Sequence, residues 1–280
     1  MRKAFFYFLI TKQGNPLVLS RSNRALFLYT WDGVLQKKID LDVWAQRMAW
    51  INDEEIVLFT GHEKDRYNQH QLCILDLQTE RIVKQMLPID DDKSHYLHVN
   101  SWNHFYRSDS NETFFYQTFC DTVYGLSADN GLTPEYVMDW EGKNIPESFY
   151  EHDYRDVMDF FQNLSKGGYA YGIDLFMQKG NKFWLSYLYN GRLFLHSSMN
   201  HTGKSGNVLI DDLCLKGYRF NMEDISYFVQ NEGSLVIPIY PYLVMEYAKE
   251  NLNNLECQKI KDVLQYVGEE QNPVLLRINM

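Results

Sequence analysis

The sequence predicts an all-β fold of the β-propeller type, with five blades visible and two short helical insertions. Three observations predict it. Apolar or alternating runs of strand length fill most of the chain and are separated by Gly, Asn and Asp turns. The turns recur with a spacing that suits four-stranded blades. Aromatic residues make up 15% of the chain, with Tyr 20, Phe 17 and Trp 6, and such side chains favour pleated surfaces.

In chain order, the first group of runs is Phe5 to Thr11, Pro16 to Ser20, Ala25 to Trp31 and Val34 to Leu41. Asp32-Gly33 joins the last two, a strong hairpin signal because both residues tolerate positive φ. The second group is Ile56 to Thr60, Gln71 to Leu77 and Arg81 to Leu87, with a turn at Gln78-Thr79-Glu80. The third is Thr113 to Phe119, Thr122 to Ser127 and Glu135 to Trp140, turning at Asp129-Asn130-Gly131. The fourth is Tyr169 to Gln178, Lys182 to Leu188 and Arg192 to Ser197, with Asn190-Gly191. The fifth is Ile225 to Gln230 and Ser234 to Tyr240, with Glu232-Gly233. One turn from each group (Asp32, Thr79, Asn130, Asn190, Glu232) gives steps of 47, 51, 60 and 42 residues. Blades repeat at about 40 to 50 residues, and the long step holds a helical segment. A pair of β-sandwiches is the alternative architecture, since short strands at regular spacing serve both. A propeller must join its last blade to its first, and Pro273 to Ile278 reads as the closing strand.

Two segments carry helical spacing. Glu147 to Leu164 places Tyr154, Val157, Met158, Phe161 and Leu164 on one face and ends at Gly167-Gly168. Leu243 to Val267 places Leu252, Leu255, Ile260, Val263, Leu264 and Val267 together. The chain is read as one propeller domain over 1–280, with insertions at about 147–166 and 243–267.

Composition narrows the function classes. Lys+Arg is 27 against Asp+Glu 37, so the net charge of -10 disfavours a nucleic-acid partner, and no basic run offsets it. Cys73, Cys120, Cys214 and Cys257 are scattered, with no C-x-x-C pair, and read as buried thiols rather than a zinc site or a disulfide scaffold. No run is long and apolar enough for a spanning helix. Met1-Arg2-Lys3 before Ala4 to Ile10 mimics a signal peptide. The run is short and lacks a small-x-small cleavage site, so it reads as a strand, with a signal as the alternative.

Several segments together resemble a known family. They are Cys120-Asp121-Thr122-Val123-Tyr124-Gly125-Leu126, Pro134-Glu135-Tyr136-Val137-Met138-Asp139-Trp140 and Lys143-Asn144-Ile145-Pro146. Tyr29-Thr30-Trp31-Asp32-Gly33, Ile74-Leu75-Asp76-Leu77-Gln78-Thr79 and the ending Glu270-Gln271-Asn272-Pro273-Val274-Leu275-Leu276 add to them. In order and spacing they are similar to the six-bladed β-propeller family common in Bacteroidota, over nearly the whole chain. The resemblance implies a propeller, a cell-envelope or periplasmic setting and, for most members, no established activity. Against that family's usual layout, the chain starts in what would be the second blade and lacks the lipoprotein signal. A cytoplasmic location is therefore the alternative.

Candidate chemistry is sparse. His201-Thr202-Gly203-Lys204-Ser205-Gly206 suggests a phosphate loop, but position 198 is Ser198 where the pattern needs Gly. Asp90-Asp91-Asp92 with His95 and His98 has neither EF-hand nor zinc spacing and reads as a solvated loop, so no metal and no cofactor are expected. Glu151-His152-Asp153 is read as opening the first helix, where carboxylates complement the dipole. The same carboxylates are of the type that cleaves glycosides. His104-Phe105-Tyr106-Arg107 has the residue types of a lyase. The G-x-S-x-G elbow fails at Asn207. Trp102, Tyr106, Arg107, Trp140, Trp184 and Tyr187 are the candidate ligand-binding residues, stacking on sugars if several share a face and packing between blades if they do not. The expected function is a ligand- or protein-binding propeller of the envelope, with a glycan or protein partner. A polysaccharide hydrolase or lyase is the alternative, and an intracellular interaction propeller follows if no signal exists.

Overall fold

The computed structural model describes residues 7–89, 104–190, 192–199, 205–209, 229–231, 234–239, 245 and 274–279. These residues form antiparallel sheets of propeller-blade type. The first sheet is β1 (Tyr7–Ile10), β2 (Pro16–Ser20), β3 (Ala25–Tyr29) and β4 (Leu35–Asp40) in sequential order. The second is β5 (Arg47–Trp50), β6 (Glu55–Phe59), β7 (His70–Asp76) and β8 (Arg81–Pro88). The third is β9 (Phe105–Arg107), β10 (Thr113–Phe115), β11 (Thr122–Ser127) and β12 (Gly131–Val137). The fourth is β13 (Ala170–Lys179), β14 (Lys182–Tyr189), β15 (Arg192–Met199) and β16 (Ser205–Leu209). A three-stranded sheet joins β17 (Val229–Asn231), β18 (Ser234–Ile239) and β19 (Val274–Asn279). Helices α1 (Glu147–Tyr150) and α2 (Val157–Gly167) lie between the third and fourth sheets in sequence.

The chain divides into two compact units. Unit 1 holds the first three sheets, α1 and the start of α2; unit 2 holds residues 140–145, the rest of α2 and the last two sheets. In unit 1, β5 lies beside both β1 and β9, so the first strands of the three sheets run next to one another. Trp50 Nε1 donates to the Ile10 carbonyl at 3.1 Å, and Thr113 Oγ1 donates to the Trp50 carbonyl. Between the first two sheets the core is Leu17, Leu19, Leu26, Met48, Ile56, Leu58, Cys73 and Leu75, all nearly or fully buried. Val57, Phe59, Leu72, Phe115 and Leu126 form a second core between the second and third. β6 thus packs apolar side chains on both faces, which is why Ile56 to Phe59 is an unbroken apolar run.

The turn at Asp32-Gly33 sits between the third and fourth strands of its sheet, with Gly33 at φ 88°. Thr79 and Asn130 occupy the same place in the next two sheets, whereas Asn190 falls one strand earlier, between β14 and β15. Three strands escape the sequence reading. β5 and β9 are short and mixed in character, and β16 opens on Ser205-Gly206-Asn207, whose low β-propensity is overridden by pairing with β15. β12 starts at Gly131 rather than Glu135, because the tight turn fixes the register Ser127↔Gly131. Its Pro134 is tolerated since β12 is the outer strand. Among the described residues, the C-terminal strand β19 pairs with β18 and the first sheet holds β1 to β4, whereas 273–278 was expected to join last blade to first.

The first helical insertion is two helices rather than one. Asp156 Oδ1 accepts from the Asp159 amide at 2.8 Å, capping α2 from inside the expected helix. Tyr154 OH donates to the Phe149 carbonyl at 2.8 Å, ending α1. The buried face is Tyr154, Phe160 and Leu164, while Val157 and Met158 are exposed, a shift from the expected stripe. Gly168, at φ 67°, follows the end of α2 as expected. The second insertion, 243–267, lies outside the described residues apart from Met245.

Candidate functional site

In unit 2, four aromatic rings gather on one side of the fourth sheet. Strand alternation puts Phe183, Leu185, Tyr187 and Tyr189 of β14 on one face and Trp184, Ser186 and Leu188 on the other. The register brings Phe194 of β15 opposite Tyr187, and the rings stack with centroids 5.3 Å apart. Tyr189 lies 6.2 Å from Phe194. Trp140 packs on Tyr187 at 5.0 Å. All four rings are half-buried, so each keeps a solvent-facing edge or face.

The segment that delivers Trp140 is held by the backbone. Lys143 N–H donates to the Trp140 carbonyl at 3.1 Å, and Ala170 N–H donates to the Lys143 carbonyl at 2.9 Å. Gly142 sits at φ 78° in this turn. The Lys143 ammonium lies 5.5 Å from the Tyr189 ring and 3.9 Å from the Glu141 carboxylate. Burial raises the Tyr187 phenol above its ordinary value, with neighbouring Tyr189 adding to the effect, so it remains a neutral donor. The arrangement is an aromatic platform with one cation and one carboxylate at its margin. Such a surface suits the apolar face of a sugar ring or an aromatic or aliphatic side chain.

Of the six candidate residues, the structure brings Trp140 and Tyr187 together. Trp184 is 6% exposed and points to the opposite face of β14, where it packs as core. Tyr106 and Arg107 belong to β9 in unit 1; Tyr106 stacks on Phe114 at 6.2 Å, and Arg107 Nε is buried without a hydrogen bond. Trp102 lies outside the described residues. Sequence reading missed Tyr189 and Phe194, although their i, i+2 and cross-hairpin relation to Tyr187 around Asn190-Gly191 carries the signal.

The acid–base motifs fare differently. His104 is 1% exposed, and its Nδ1 faces the Tyr116 carbonyl at 3.3 Å, so Nδ1 carries the proton. Burial, then His62, push it down to about 3. At neutral pH the ring is neutral and closed off from solvent. Its ring packs 3.9 Å from Phe59 and 6.5 Å from His62. Glu151, His152 and Asp153 do not open a helix; Glu151 caps the end of α1 and the three are exposed in the link to α2. Ser205 and Gly206 enter strand β16, not a helix, so they build no phosphate loop. Residues 201–204, Asp90 to Asp92, His95 and His98 lie outside the described residues. Among the described residues, no group of three or more His, Cys, Asp or Glu side chains is placed to hold a metal ion, and no helix is long and apolar enough to cross a membrane.

Residues 3–279 match the family described as a domain of unknown function (DUF4934), and the chain belongs to that family. No curated protein matches the sequence. Among solved structures, it is similar to a Bacteroides fragilis protein inferred to be exported, with TM-score 0.73 and 15% identity, covering 96% of this chain and 75% of that one. That likeness is one of fold. Virginiamycin B lyase from Staphylococcus aureus, in a catalytically inactive form with quinupristin, matches at TM-score 0.48 and 8% identity, over 99% of this chain and 70% of that one. BamB from Moraxella catarrhalis matches at TM-score 0.40 and 12% identity, over 71% and 47%. Neither informs the chemistry of this chain.

Proposed function

We propose that this member of the family is a ligand-binding propeller of the bacterial cell envelope, of the six-bladed kind found in Bacteroidota, and that it takes a glycan or protein ligand on the platform of Trp140, Tyr187, Tyr189 and Phe194. The observation that carries the reading is the Trp140–Tyr187 contact: two half-buried rings 5.0 Å apart, continued by Phe194 and Tyr189, so that four partly exposed rings adjoin. The fold shared with a protein inferred to be exported supports the envelope setting.

The test is tryptophan fluorescence titration with a panel of neutral oligosaccharides, on wild type, Trp140→Ala and Tyr187→Ala. Saturable binding lost in both variants, with unchanged melting behaviour, is the expected result. Equal binding by Trp140→Ala and wild type would sink the platform. Fractionation of native cells tests the location, and recovery from cytosol alone would overturn the envelope assignment.

A further inference from the structure

Unit 1 gathers cations that the sequence scatters. Arg21 and Arg24 close the turn between β2 and β3, with the Arg24 amide donating to the Arg21 carbonyl at 3.3 Å. Arg24 holds φ at 46°, a conformation that side chains other than Gly and Asn rarely adopt. Arg66 and Tyr67 come from the β6–β7 loop. The Arg24 guanidinium lies 3.9 Å from the Tyr67 ring centroid and that of Arg66 lies 4.5 Å from the same centroid, so one phenol carries two cations. Arg47 opens β5 with its guanidinium 5.6 Å from the Tyr7 ring, close enough to Arg21 to feel its charge.

Arg21, Arg24 and Arg66 form no ion pair with a described carboxylate. Asp65, beside Arg66, spends Oδ1 on the Tyr67 and Asn68 amides, both at 2.7 Å. Asp40 pairs with Lys38 at 2.5 Å. Arg24 and Arg66 thus bring two like charges onto one ring, with the exposed Asp42, Glu63 and Asp65 on the neighbouring segments.

An exposed tryptophan lies on the segment that follows β4. The Leu41 amide donates to the Arg24 carbonyl at 2.8 Å, and the strand leads on to Trp44, which is 42% exposed. Asn68 clamps Trp44 from both sides: its Oδ1 accepts from the Trp44 amide at 2.9 Å and its Nδ2 donates to the Trp44 carbonyl at 3.2 Å. The loop that carries Arg66 and Tyr67 therefore also holds the Trp44 backbone. Ser22 and Asn23 expose further polar groups on the turn.

We infer that Trp44, Arg21, Arg24, Tyr67 and Arg66 form a second binding site, in unit 1, for a glycan that carries carboxylate groups. The indole offers a face to the apolar side of a sugar ring. The guanidinium forks match a carboxylate bidentately, which a neutral sugar cannot use. An acidic peptide is the lesser fit, since its binding wants an apolar core and Trp44 is the only large exposed hydrophobic side chain on these segments. The site shares no residue with the unit 2 platform.

The test is calorimetric titration of the whole chain with oligogalacturonate, a neutral maltooligosaccharide and poly-L-glutamate of matched charge. Oligogalacturonate is expected to bind saturably, more weakly as salt rises, and at least roughly tenfold more tightly than either control, the size of one charge-assisted contact. Arg66→Gln, in an exposed loop, and Arg24→Gln each weaken it by a similar factor, Trp44→Ala weakens it, and Trp140→Ala leaves it unchanged. No saturable binding of oligogalacturonate overturns the site. Binding retained in both arginine variants overturns it too, and equal binding of poly-L-glutamate overturns the glycan class. Loss in Trp140→Ala alone would move the ligand to the platform and leave this site refuted.

Discussion

The ammonium of Lys84 donates to the carbonyl of Asp129 at 2.8 Å and to that of Ala128 at 3.2 Å. One sheet earlier, the ammonium of Lys37 lies 2.7 Å from the carboxylate of Glu80. Both lysines stand on the fourth strand of their sheet, and both acceptors lie in the turn between the third and fourth strands of the next. The blades of unit 1 are thus fastened twice by the same device. Lys84→Met is expected to lower stability by about 1 kcal/mol, since it leaves the half-buried Ala128 carbonyl without its charged donor. Glu80→Gln is expected to change it by less than about 1 kcal/mol, because that pair is substantially exposed. Urea unfolding followed by tryptophan fluorescence checks both; equal effects would show that the carbonyl contacts are not special.

Stability should depend on acid through His104. Its folded value is held at about 3, well below the ordinary 6.5, chiefly by burial. The unfolded chain therefore binds a proton that the folded one refuses. The contribution is complete above about pH 6.5 and is lost as pH falls toward about 3, at up to roughly 1.4 kcal/mol per pH unit. His104→Gln flattens this part of the profile in melts between pH 7 and pH 4. An unchanged slope in the variant would assign the acid sensitivity to other groups.

Asp156→Ala should fray the start of α2, removing the acceptor for the Asp159 amide at a cost of about 1 kcal/mol. Hydrogen exchange of the amides of residues 158–160 reports this directly. Asp156→Asn keeps an acceptor and should restore protection.

Trp184→Ala and Trp140→Ala should separate folding from binding. Trp184 is 6% exposed, and its removal opens a cavity worth about 3–5 kcal/mol. Trp140 is half-buried, so its loss should cost less stability while abolishing platform binding. Thermal melts beside the oligosaccharide titration distinguish the two, and a reversed ranking would place the platform in the core.

Cys73 is buried, and its thiol is pushed up to about 11 by burial. It should resist alkylation at pH 8 in the folded protein and react once the chain is unfolded. Mass spectrometry after a timed iodoacetamide pulse checks this; rapid native labelling of Cys73 would contradict the core packing around β7.

Much of the local structure was legible in the residues. Pro16 to Ser20 and Thr122 to Ser127 read as strands with the bounds that the structure shows, because apolar run and turn residues agree there. The hairpin at Asp32-Gly33 read true for the same reason. Arg47–Trp50 and Phe105–Arg107 did not, since their strand state comes from pairing with β6 and β10 rather than from their own composition. Of the site, Trp140 and Tyr187 were legible as types, but Trp184 looked equivalent until the parity of β14 separated it. The absence of a basic run in the sequence was likewise no guide to Arg24 and Arg66, which meet on Tyr67 across 42 positions of chain.

The sequence by itself determined the all-β character, the blade-like grouping and most turns, because alternation and turn chemistry act over a few neighbouring residues. Only the tertiary structure decided which side chains converge: the four rings around Tyr187, the two cations on Tyr67 and the buried ring of His104. Those depend on strand register and on which sheets lie side by side, and both are set by pairing and burial summed over distant segments, which no local pattern encodes.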